Sequence, residues 1–125
     1  MSSLPRPVVR AALLDVASIL LFVAVGRRSH DEGGSVLGGI VMVAAPFLIA
    51  LAVGWIVARA WRRPAALETG VVIWLVTVSL GMVLRHFVFD RGTALPFIIV
   101  ATGVTGLLLL GWRLVAERID ERRRA

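Results

Sequence analysis

Asp15 lies seven residues into an apolar run, VVRAALLDVASILLFVAVG, and is the first residue of this chain whose type and position could do chemistry. If the run is buried in hydrocarbon, a carboxylate there costs on the order of 2.5 to 3.5 kcal/mol on insertion scales, so it must be paired, protonated or turned toward water. Arg85 poses the same question in a second run, residues 71–91, VVIWLVTVSLGMVLRHFVFDR. There Trp74, Thr77, Gly81 and Arg85 recur at steps of three and four, which places them on one face of a helix. A third candidate, Arg113, closes the last apolar run beside Trp112.

The elements that must position these groups are set by composition. Of 125 residues 58% are hydrophobic, and the mean hydropathy is +0.88. A soluble domain is roughly half apolar, so most of this chain is suited to lipid. Absence of Cys excludes disulfides, Cys-based zinc or iron–sulfur sites and thiol catalysis. All 14 basic residues are Arg, and the net charge is +6. A basic balance can signal nucleic acid. Here the Arg residues fall between apolar runs, which points to anionic lipid headgroups and topology instead, with no nucleic-acid partner.

Four runs are long enough to cross a bilayer, at about residues 8–26, 36–59, 70–90 and 94–113, so the expected fold is all-α, a single integral membrane bundle of four transmembrane helices over residues 1–125. A signal peptide competes for the first run, since Arg6 and Arg10 resemble an n-region, but Asp15 and the length of the run weigh against it. Pro46 lies near the middle of the second run and is expected to kink it. Ala50, Gly54 and Ala58 repeat every four residues, the pattern that lets helix backbones approach, and Gly103 and Gly106 offer the same contact on the fourth helix. Trp55, Trp61 and Trp112 read as interface markers. Thr93 offers an N-cap with Pro96 in the first turn of the fourth helix, and the tail ERIDERRRA extends that helix into water.

Topology follows from the Arg count. Arg6, Arg10, Arg59, Arg62, Arg63, Arg113, Arg118, Arg122, Arg123 and Arg124 fall on one side, and Arg27, Arg28, Arg85 and Arg91 on the other. Ten against four places both termini in the cytoplasm of a multi-pass plasma (inner) membrane protein. A faint repeat, AAPFLIALAVGW beside ALPFIIVATGVTG, would fit duplication of a helical hairpin, though chance explains it equally well.

Helical rise places Asp15 roughly 10 Å from the cytoplasmic edge, with Thr77 at a similar depth and Trp74 about a turn nearer the cytoplasm. Arg113 ends a helix running the other way and can reach up to them. The expected inner cluster is therefore Asp15, Trp74, Thr77 and Arg113. It would serve either as a proton or cation carrier facing a cavity, or as a lock between the first and fourth helices through Arg113 or an indole N–H; pairing is the commoner solution for a buried charge. An outer cluster gathers Arg27, Arg28, His30, Asp31 and Glu32 with Arg85, His86, Asp90 and Arg91. It could hold an anion, a lipid phosphate or a partner's acidic tail, but a snorkelling charge belt accounts for it more simply, and no metal site is expected. No phosphate-binding glycine loop, serine nucleophile motif or paired His spacing occurs, so neither enzyme chemistry nor a cofactor is expected.

Asp15, GRRSH at residues 26–30, Pro46-Phe47, Trp74 with Thr77, Leu84-Arg85 and Gly111-Trp112-Arg113 resemble an uncharacterised family of small four-helix membrane proteins, found largely in actinobacteria and haloarchaea and catalogued as a domain of unknown function. The resemblance covers nearly the whole chain and implies four spans in a prokaryotic plasma membrane, without supplying an activity. Small multidrug resistance transporters also carry an acid in their first helix, but it is Glu and its flanking motifs differ. Dual-topology fluoride channels match in length only. Two functions stay open: a transporter or channel subunit for a small ion or polar solute, coupled through Asp15, and a non-transporting accessory or scaffold protein of the membrane. A thin bundle leaves little room for a central cavity, so a homo-oligomer or a membrane partner protein is expected in either case.

Overall fold

A computed structural model of the chain describes residues 5–28, 36–88 and 95–124. Four helices account for almost all of them: α1 (Arg6–Arg28), α2 (Val36–Ala58), α3 (Leu67–Phe87) and α4 (Leu95–Arg124). All four are long and apolar enough to cross a membrane. Each packs on the next in sequence and α4 returns to α1, so α1 and α3 lie on one diagonal and α2 and α4 on the other.

The most extensive contact is between α2 and α3, and small residues explain it. A Cβ built on Gly54 would stand 3.3 Å from the Ile73 carbonyl oxygen, so the two backbones nearly touch there. One level further along, the ring of Phe47 occupies the place where a Gly81 side chain would be, with its Cδ1 only 2.5 Å from that position. Phe47 in turn meets Phe22 of α1 edge-on at 5.7 Å between centroids and Phe97 of α4 at 6.1 Å. Ile19, Ile73 and Leu109 extend this core toward the end where α2 turns into α3. The helix α2 runs unbroken through Pro46, which is itself buried.

At its C-terminus α2 stops in a Schellman turn. The Ala60 N–H bonds to the Trp55 carbonyl and the Arg59 N–H to the Ile56 carbonyl, with Arg59 held at φ 51°. Ala60 is fully buried beneath the turn. The third helix starts at Leu67, three residues before the span expected from residue 70, because Glu68 suits the positive end of the helix dipole and forms an exposed ion pair with Arg63. It ends at Phe87 rather than near residue 90, where the aromatic and β-branched run Phe-Val-Phe favours helix less. Thr93, Asp90 and Arg91 fall outside the described residues, as do His30, Asp31 and Glu32. The fourth helix passes Arg113 and continues to Arg124, since its Glu and Arg residues are good helix formers and neither Gly nor Pro interrupts them.

Candidate functional site

Four donors converge on the Asp15 carboxylate. Arg113 binds it as a fork, Nη1 to Oδ1 and Nη2 to Oδ2, both at 2.8 Å. The Trp112 indole N–H donates to Oδ1 and the Trp55 indole N–H to Oδ2, again at 2.8 Å each. A carboxylate has about four lone-pair sites, so Asp15 is saturated as an anion. The pair has no exposed side-chain surface. Two further guanidinium donors are used too: Nε bonds to the Pro64 carbonyl in the turn after α2 and Nη1 also bonds to the Leu109 carbonyl of its own helix. Thus α1, α2, the turn and α4 are tied through one ion pair.

The third helix joins through a glycine. A Cβ on Gly70 would lie 2.6 Å from Arg113 Cδ and 3.2 Å from its Nε, so the Arg stem crosses α3 where α3 has no side chain. All four helices therefore meet at Arg113. The bond to Pro64 also fixes the level of the hub, which is the end of the bundle that carries the α2–α3 turn.

Asp15 and Arg113 are together as expected, but the rest of the inner cluster is not. Trp74 makes no bond to Asp15. Its indole N–H donates to the Thr102 carbonyl at 3.0 Å, and its ring fills the space beside Gly106 of α4. On α3, Trp74 faces α4 across Gly106, and this pulls it away from α1. Thr77 is fully buried, yet its hydroxyl has no hydrogen-bond partner among the described residues and takes no part in the hub. The indoles that do bind Asp15 are those of Trp55 and Trp112, which sequence reasoning assigned to an interface. Their placement at the ends of α2 and α4 on the Arg113 side was the available signal, since an indole there reaches inward as easily as outward. Gly70 offered no such signal.

Of the expected helix contacts, Ala50 is buried, Ala58 packs against the core, and Gly54 and Gly106 each receive a neighbour. Gly103 does not. It is exposed, with nothing among the described residues within 4 Å of the place its Cβ would take, because one further residue along the helix from Thr102 turns it outward. In the outer cluster, Arg85 lays its guanidinium over the Phe97 ring at 4.1 Å, joining α3 to α4. His86 is exposed and touches the neighbouring Phe87 ring edge-on. Arg27 and Arg28 end α1, with side chains outside the described set, and His30 and Asp90 are outside it altogether.

The described residues form a bundle of four helices, each long and apolar enough to cross a membrane, held at one end by a saturated Asp–Arg pair. Residues 12–116 match the family model described as a protein of unknown function, DUF3054, and the chain belongs to that family. Nothing among the curated proteins or the solved structures matches it.

Proposed function

We propose that the chain is a multi-pass protein of the plasma membrane, with both termini in the cytoplasm, that acts as a non-transporting accessory or assembly partner of other membrane proteins. One observation carries the choice against transport: the Asp15 carboxylate, the group that would couple a proton or cation, is already occupied by four donors from Arg113, Trp55 and Trp112. To load an ion or proton it would have to give up that shell and leave Arg113 buried without its counter-charge, a loss of about 3 to 5 kcal/mol. Such a group serves as a fixed joint. Function then resides on the outer surface of a rigid bundle, with Gly103 baring the α4 backbone toward a second copy or a membrane partner.

Reconstitution in vesicles tests this. Under the accessory reading, ion and proton flux equals that of empty liposomes across pH gradients, and Asp15→Asn lowers thermal stability. Flux above that background which Asp15→Asn abolishes, with the fold retained, would establish the transporter instead.

A further inference from the structure

Beyond the hub, α4 runs on for 11 residues, Leu114 to Arg124, or roughly 16 Å at the helical rise. Leu114, Val115, Arg118, Ile119 and Arg122, at spacings of one, three and four, line one open groove, and all five are exposed. Leu114 lies seven residues from the exposed Leu107, so this face continues the outer surface of the apolar part of the helix without a break. None of the acids Glu117, Asp120 and Glu121 lines the groove, although Glu121, seven residues from Leu114, borders it. At the same end of the bundle stand Arg6 and Arg10 of α1 and Arg59, Arg62 and Arg63 of the turn, all exposed.

The geometry points to this face as a docking surface for the anionic phospholipid headgroups of the bilayer: apolar side chains toward the acyl boundary, Arg118 and Arg122 on the phosphates. The inference rests on the chain spanning a membrane. Where an apolar run emerges from hydrocarbon, lipid adjoins it, and Arg side chains above a Leu-Val-Ile face reach phosphate by snorkelling. Charge decides against the other obvious occupant. A twofold contact between copies through this face would set Arg118 and Arg122 against their own counterparts, like charge on like. A surface of phosphodiesters complements both.

Motional restriction of spin-labelled phosphatidylglycerol and phosphatidylcholine around the full chain in vesicles measures the preference directly. The wild type is expected to restrict phosphatidylglycerol more strongly, and Arg118→Gln and Arg122→Gln each to lower that preference by about fivefold at low salt, since each Arg near an anionic surface contributes about 1 kcal/mol. Arg123→Gln, off the groove, removes the same charge and is expected to do much less. All three positions are exposed, and helical content by circular dichroism confirms that each variant folds. Equal restriction of the two lipids by the wild type, or an equal loss from Arg123→Gln, overturns the site. So does equal competition by glycerol phosphate in detergent, which would make it a free-phosphate pocket, or cross-linking of two copies through the extension. Restriction of neither lipid would instead refute membrane spanning itself.

Discussion

Asp15 and Arg113 stand 98 positions apart in sequence, yet each supplies the other's charge with no water in reach. A buried pair of this kind contributes little net stability over an apolar replacement, whereas losing one member strands the other. Arg113→Gln is therefore expected to destabilise the bundle by about 3 to 5 kcal/mol in detergent thermal unfolding, and Asp15→Leu with Arg113→Met to recover most of that loss. Full additivity of the two changes would show that the residues do not act as a pair. Trp55→Phe removes one of four donors and is expected to cost about 1 to 3 kcal/mol, the penalty for a buried acceptor left short. The acid and its Arg partner were legible in sequence because depth arithmetic needs only helical rise. Which indoles would donate was not, because that depends on the rotation of each helix about its own axis. Trp74 and Thr77 had the right depth and the wrong azimuth.

Close approach governs the elements. Gly70 lets the Arg113 stem pass, and Arg113 is pinned by four hydrogen bonds, so it cannot move aside. Gly70→Ala is expected to cost about 1 to 3 kcal/mol through overpacking, while Gly103→Ala, facing open space, leaves thermal stability unchanged or slightly raised. Comparable losses at both glycines would disprove the assignment. The Schellman turn supplies a change of opposite sign. Arg59 holds a left-handed conformation that costs an ordinary residue about 1 to 2 kcal/mol, so Arg59→Gly is expected to raise the midpoint of thermal unfolding. The two Pro-Phe pairs that suggested an internal repeat, at Pro46 and Pro96, bring Phe47 and Phe97 into contact across the α2–α4 diagonal. Their rings and Phe22 close the core at the level of Gly81.

At the scale of the molecule, the start of α1, the α2–α3 turn and the α4 extension share one basic end, with ten Arg against four on the other side by count along the chain. The chain contains no Cys, so single cysteines introduced at Ser3, Ser35, Arg62 and Ala125 report topology without a background. Ser3, Arg62 and Ala125 are expected to be shielded from an impermeant thiol reagent in intact cells and Ser35 to be labelled; labelling of the two termini from opposite sides would refute the arrangement. Hydropathy and length alone determined the number of helices, their approximate limits and the need to neutralise Asp15, because each depends only on local composition and on the cost of a charge in an apolar setting. The tertiary structure decided what neutralises it, why Gly70 must lack a side chain and which glycine of α4 faces inward. Those outcomes depend on how four similar apolar cylinders are turned against one another, and apolar residues on every side of a helix leave no periodic mark of that rotation.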